Sequence, residues 1–219
     1  VKYSGDTATG GDLWPVVKRQ VEVAREALDP AGIYDNALKP SWLVFDWKSD
    51  LNRDGSIQGL MTFAVDRSYE LARMLGTEKE VSDWPKLTAR MKSAARNAYY
   101  DRKSGLVLSG PDKQASYLSQ VWMVLSGTLS AKEGARALSA IMESPDACRI
   151  GSPYAYHYFI EALIQCGLEE QARTALIDYW GGMVNKGAET FWEVYDPQDV
   201  FKSPYGFFQI NSYCLAWSC

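Results

Sequence analysis

At Asp46-Trp47 and at Trp192-Glu193 a carboxylic acid stands directly beside a tryptophan. The second pair lies in KGAETFWEVYDPQD, residues 186–199, where one glycine, four acids and three aromatic rings share fourteen positions. Sugars present apolar C–H faces and polar hydroxyl edges, so carbohydrate binding calls for a ring to stack on and a carboxylate to hydrogen-bond. A carboxyl against a large apolar ring can also have its pKa raised by desolvation. Glycoside hydrolysis uses two carboxyl groups flanking the scissile bond, and a loop such as 186–199 could supply one of them. The competing reading is structural at both places. Trp47 would then be a core residue beside a turn aspartate, and Glu193 a solvated loop acid. The dipeptides alone leave both readings open.

Other candidate chemistry is thinner. DLNRDG sets Asp50, Asn52, Asp54 and Gly55 as a calcium-binding EF-hand loop begins. The twelfth position of such a loop must bring a bidentate carboxylate, and here it is Met61. The segment therefore reads as a polar turn in which Asp54 or Ser56 caps the next helix, and calcium is rejected. The single histidine, His157 in SPYAYHYFIEAL, stands among aromatics at helical spacing and reads as a packing residue. One histidine and no Cys-x-x-Cys pair speak against a Cys/His zinc site and a Ser-His-Asp triad. Cys148, Cys166, Cys214 and Cys219 read as mostly buried free thiols. No cofactor and no metal are expected.

Composition narrows the class. Eight tryptophans and thirteen tyrosines exceed what a core of this size needs, and such a surplus often lines binding clefts. Lys and Arg are scattered through a chain of net charge −4, which argues against the basic patch of a nucleic-acid binder. No apolar run has the length of a membrane span.

The elements that must position these residues are helical. Apolar spacing predicts helices over 12–28, capped by Asp12, and over 57–75, ended by Gly76. A third begins at Thr77, with Pro85 marking a separate turn or a kink. A fourth covers 115–125, and Ser130 with Glu133 opens a fifth as a capping box. A sixth and a seventh cover 153–166 and 168–180, and an eighth begins near Ile210 and is cut off at Cys219. GLVLSGPD reads as a turn with room for a short strand. Helices joined mostly by short turns, without a fixed repeat, give an all-α fold of stacked hairpins. Two long segments, 29–56 and 183–209, break the pattern. Connections that long in a compact domain are usually functional, and these two hold Asp46-Trp47 and Trp192-Glu193.

The run HYFIEALIQCGLEEQARTALIDYWGGMVNKGAETFWEVYD resembles bacterial alpha-L-rhamnosidases of glycoside hydrolase family 78. Those carry a helix pair with Glu-Ala-Leu and Gly, then Trp-Gly and Met, then Gly-Ala-Thr-Thr-Phe-Trp-Glu. The last motif reads here Gly187, Ala188, Glu189, Thr190, Phe191, Trp192, Glu193. SGDTATGGDLWP is similar to the family's Gly-Asp segment, FDW to its Asp-Trp pair, and Gln114 in KQASYL fits as well. The likeness spans essentially the whole chain.

The resemblance implies an (α/α)6 barrel with the active site at one mouth, removing terminal alpha-L-rhamnose with inversion. It marks Glu193 as the general base that activates water, and Asp46, Trp47 and Trp192 as contacts of the sugar. Inversion leaves carboxyl groups roughly 6.5–9.5 Å apart, with room for a water between them. This chain departs from the pattern in three ways. Glu189 stands where Thr is usual. Leu215 stands where many members have a sugar-binding histidine, which bears on rhamnose specificity. The family's general acid belongs to an acidic segment upstream of everything here.

On this resemblance residues 1–219 form one domain, the C-terminal two-thirds of a twelve-helix barrel, and this glycosidase fragment alone is inactive. Its expected partner is a rhamnose-containing oligosaccharide or glycoside, not nucleic acid or membrane, in a periplasmic or secreted setting. A non-catalytic carbohydrate-binding helical toroid is the alternative, and Leu215 gives it support. A peptide-binding scaffold would show a regular repeat, which this chain lacks.

Overall fold

The computed structural model describes residues 1–40, 42–44, 46–199 and 201–216. Phe45 of the FDW stretch, Cys219 and the far end of the expected eighth helix lie outside the described residues. The principal helices are α1 (Thr7–Glu26), α2 (Asp54–Leu75), α3 (Trp84–Tyr99), α4 (Tyr117–Leu125), α5 (Ala131–Glu143), α6 (Pro153–Gln165) and α7 (Glu169–Leu176). A π-helical turn, Ile177–Gly181, runs on from α7 into the short α8 (Gly182–Asn185). Two-residue strands β1 (Leu108–Ser109) and β2 (Gln114–Ala115) pair antiparallel.

Local chemistry sets most of the boundaries. Ser130 and Glu133 close the expected capping box, with Glu133 N–H to Ser130 Oγ at 3.3 Å and Ser130 N–H to Glu133 Oε2 at 2.9 Å. Ser116 and Ser152 cap α4 and α6 by accepting the Ser119 and Ala155 N–H groups. Gly76, at φ +70°, ends α2. Pro85 falls in the first turn of α3, where a missing N–H costs nothing, and a 3-10 turn, Glu78–Val81, precedes it. The expected start of α1 is corrected: Asp6, not Asp12, caps it, accepting the Thr9 N–H at 3.0 Å. A cap outweighs the weak helix propensity of Thr-Ala-Thr-Gly-Gly. For α2, neither Asp54 nor Ser56 is the cap; Arg53 holds that position, and Asn52 Oδ1 accepts the Asp54 N–H at 3.1 Å.

Helices α2, α4 and α6 pack side by side as an inner row. Outside them α1 and α3 lie on α2, α5 on α4, and α7 on α6. All nine residues of α4 are buried, as its nearly all-round apolar sequence requires. Its one amide side chain is satisfied: Gln120 Oε1 accepts the Val107 N–H, and Gln120 Nε2 donates to the Val107 carbonyl, each at 2.8 Å. Gly59 lets α2 approach α4, since a Cβ there would stand 2.7 Å from the Trp122 backbone. This inner-and-outer alternation of hairpins is part of an (α/α)6 toroid.

Connections between these helices alternate short and long. Residues 76–83, 126–130 and 166–168 are short, whereas 27–53, 100–116, 144–152 and 186–216 are long. The long ones touch one another and therefore gather at one end. Gln114 holds the Asn52 N–H and the Asp50 carbonyl, both at 2.8 Å. Cys148 N–H reaches the Ala115 carbonyl at 2.9 Å.

Four further expectations change. The helical run after residue 168 does not end at Trp180 but continues to Asn185. Gly182 serves instead to admit Tyr195, whose hydroxyl would stand 2.6 Å from a Cβ there. No helix runs through residues 211–215: a 3-10 turn, Phe208–Ile210, is followed by extended Asn211. His157 is exposed rather than packed, its ring 5.2 Å from that of Tyr158. Of the three described thiols, all free, only Cys148 is buried; Cys166 is half-buried and Cys214 exposed.

Candidate active site

The segment carrying Glu193 is built by doubling back on itself. Gly187, at φ +92°, closes the helix, with its N–H bonded to the Val184 carbonyl at 2.9 Å. The chain then runs alongside residues 212–215. Glu193 N–H donates to the Ser212 carbonyl at 2.8 Å, and Leu215 N–H to the Phe191 carbonyl at 2.9 Å. The Thr190 hydroxyl donates to the Tyr213 carbonyl.

This pairing turns the Glu193 side chain inward, leaving it 6% exposed. Both carboxylate oxygens are engaged. Oε2 accepts the Ser212 N–H at 2.9 Å, and Oε1 accepts the phenolic hydroxyl of Tyr205. The carboxylate beside it holds the Tyr205 phenol above its usual pKa. A ladder of Ser203 and Asn211 keeps the Tyr205 turn in place: Ser203 Oγ donates to Asn211 Oδ1 at 2.8 Å, and Asn211 Nδ2 to the Lys202 carbonyl at 2.8 Å.

Asp46 and Trp47 approach from the 27–53 connection. Asp46 is 8% exposed and accepts the Gly151 N–H, at 2.9 Å to Oδ2 and 3.2 Å to Oδ1. Burial pushes its carboxyl up to about 6, against the opposing pull of hydrogen bonds from Ser152 and from the Gly151 and Trp47 backbone. Half-buried Trp47 meets Tyr205 edge-on at 5.7 Å between ring centroids. Tyr205 thus joins the two acid–tryptophan segments, one ring contact and one hydrogen bond apart.

A cleft of about 430 Å³ opens here. Trp47 and Lys48 supply one wall, Arg149 to Gly151 another, and Tyr195 to Gln198 with Lys202 a third. Tyr156 of α6 and Tyr179 of the π-turn, stacked at 3.7 Å, form its aromatic floor. π-Turns recur at functional sites, and this one delivers the Tyr179 hydroxyl to the Tyr195 carbonyl at 2.9 Å.

Of the residues expected at the site, Trp47 lines the cleft, Glu193 is linked to it through Tyr205, and Asp46 is held by Gly151 of another wall. Trp192 is half-buried and turned into an aromatic group, 5.4 Å from Tyr213 and 6.2 Å from Tyr195. Glu189 is exposed. Gln114 fastens the loop that carries Asp46 and Trp47. Sequence reasoning missed Tyr205, Ser212 and Arg149. Only the aromatic density of FKSPYGFF, within the flagged long segment, hinted at the first.

Residues 2–213 match the family described as bacterial alpha-L-rhamnosidase 6 hairpin glycosidase domain. Among solved structures, a rhamnosidase from Klebsiella oxytoca with rhamnose bound superposes at a TM-score of 0.90 with 38% identity. That match covers 100% of this chain and 42% of the other. A family 78 rhamnosidase of Bacillus sp. GL1 shares the fold at a TM-score of 0.80 and 20% identity, over 99% of this chain and 23% of that one. The N,N'-diacetylchitobiose phosphorylase of Vibrio proteolyticus is 25% identical over 169 residues, 68% of this chain and 20% of that protein. The chain therefore spans less than half the length of each.

Proposed function

This chain belongs to the bacterial alpha-L-rhamnosidase six-hairpin glycosidase family, and we propose that it carries the general-base half of a rhamnosidase active site. The observation that carries this reading is Glu193: a buried carboxylate at the long-loop mouth, held by Ser212 N–H and Tyr205 hydroxyl beside an aromatic cleft.

Hydrolysis with inversion adds water to the anomeric carbon from the face opposite the leaving oxygen. Glu193 takes a proton from that water as its oxygen bonds to carbon. The glycosidic C–O bond breaks, and an acid supplied from outside residues 1–219 protonates the departing oxygen. The Ser212 N–H and the Tyr205 hydroxyl fix the orientation of the carboxylate, each engaging one oxygen and leaving that oxygen a second lone pair for the water. Trp47 offers a ring face to the sugar. Asp46 uses lone pairs left after Gly151 and Ser152 for sugar hydroxyls, and Trp192, packed against Tyr195 and Tyr213, backs the segment that carries Glu193. Residues 1–219 are then the C-terminal two-thirds of the barrel.

The test is release of rhamnose from an aryl alpha-L-rhamnoside by the intact polypeptide, followed by NMR of the first-formed anomer. Inversion yields the β-anomer first. No rhamnose release by well-folded protein would sink the proposal.

A further inference from the structure

The net charge of the chain is −4, yet its mouth cleft is edged by Lys48, Arg149 and Lys202, with Asp196 the one carboxylate among its described lining residues. These cations come from three separate connections, so no local run of basic residues put them there. Lys48 is paired with Asp50 at 3.2 Å. Arg149 and Lys202 form no ion pair among the described residues.

Both are nonetheless held at their bases. The Arg149 guanidinium lies over the Tyr117 ring, 5.8 Å from its centroid, and donates to the Tyr117 hydroxyl at 3.5 Å. That contact orients the fork without neutralising it, and leaves most of its N–H donors unused. Lys202 has its backbone pinned on both sides, N–H to the Asp199 carbonyl at 3.1 Å and carbonyl to Asn211 Nδ2 at 2.8 Å.

We propose that this cleft receives the sugar next to the rhamnose, the leaving group, and selects one bearing an anionic substituent, with Arg149 and Lys202 as the recognising cations. The inference rests on the rhamnosidase reading for the bond that is cleaved. A planar guanidinium matches a carboxylate or a sulfate ester through two parallel hydrogen bonds, and a neighbouring ammonium adds a point charge. The volume lies at the lower end for ligand pockets and suits one pyranose ring. Tyr156 offers that ring an apolar face, as a sugar of either charge state requires. The cations add the discrimination.

The experiment is calorimetric titration of the intact polypeptide, carrying Glu193→Gln to stop turnover, with three rhamnosyl disaccharides. Their second sugars are a uronate, a sulfated hexose and the neutral hexose. An anionic disaccharide should bind at least about tenfold tighter than the neutral one at low salt, the effect of one charge-assisted contact. That gap should narrow as salt screens it. Adding Arg149→Gln and Lys202→Gln should reduce it to within about twofold. The tighter of the two anionic ligands identifies carboxylate or sulfate as the natural group. Equal affinity for all three, no detectable binding, or a preference that survives both substitutions overturns the inference. Hydrolysis of a neutral aryl rhamnoside by the unsubstituted polypeptide is measured alongside. Its absence removes the rhamnosidase reading, while the titration still decides whether the cleft selects anions.

Discussion

The phenolic hydroxyl of Tyr205 donates to Oε1 of Glu193, and the Tyr205 ring also meets Trp47. One side chain from the last long connection therefore couples the buried carboxylate to the aromatic wall contributed by the first. The arrangement gives Glu193 a fixed direction and makes the Trp47 loop part of the same unit.

Glu193→Gln in the intact polypeptide should lower kcat by about 10²–10⁴-fold, the usual contribution of a positioned general base. Rhamnose affinity should survive, because the amide retains the size and shape of the acid. Turnover of an aryl rhamnoside within a factor of two of the unsubstituted protein would remove Glu193 from the mechanism.

Tyr205→Phe keeps the ring against Trp47 but deletes the donor to Glu193. Hydrogen bonds to charged groups contribute roughly 1.5–3 kcal/mol, so kcat/KM should fall about 10–100-fold. Steady-state kinetics would show it, and an unchanged value would mean that the contact has no catalytic consequence.

Asp46 makes stability depend on pH in a particular direction. Its carboxyl is raised from 3.8 to about 6 in the folded chain, chiefly by burial. The folded state therefore binds a proton more readily than the unfolded one between those values. Stability from this group is present below about pH 3.8 and is lost as pH rises through about 6, by an amount on the order of 3 kcal/mol. Wild type should thus gain on Asp46→Asn as pH falls from 7 to 4 in paired denaturant unfolding curves. A difference between the two proteins that stays constant across that range would contradict the burial argument.

Trp47→Ala should weaken sugar binding by about 1 kcal/mol, the contribution of ring stacking, with a smaller effect on folding. The ring is half-buried in a connection rather than on a helix stripe. Sugar titration beside thermal unfolding separates the two effects. A large stability loss at unchanged affinity would make Trp47 a packing residue.

Residues 1–219 expressed alone should release no rhamnose and should self-associate. Leu13 and Val16 of α1, and Ile164 and Leu176 of α6 and α7, are exposed. Apolar faces of this kind promote association. Sedimentation and an aryl-rhamnoside assay test both statements. Robust turnover by a monomer would show that a carboxylate inside this chain, such as Asp46, serves as the acid.

Helix identity was legible because its causes are local. Periodic apolar positions in α2 and α6, the Ser130–Glu133 box and Gly76 each act within a few residues, so linear spacing records them. The motif ending in Glu193 was legible through its resemblance to a family pattern, while the dipeptide alone left its role open. The surroundings of that carboxylate were not. Asp46 meets Gly151 across 105 positions, and Glu193 meets Ser212 across 19. Contacts between irregular connections have no period, and a hydrogen bond to a backbone N–H asks nothing of the residue type that provides it. The sequence predicts a seventh helix ending at residue 180, yet the helical run continues and Gly182 is the space that Tyr195 fills. The sequence alone determined that these helices form and that a carboxylate sits beside a tryptophan at 192–193. Only the closure of the inner row, bringing four long connections to one end, decided which phenol, amides and cations surround it.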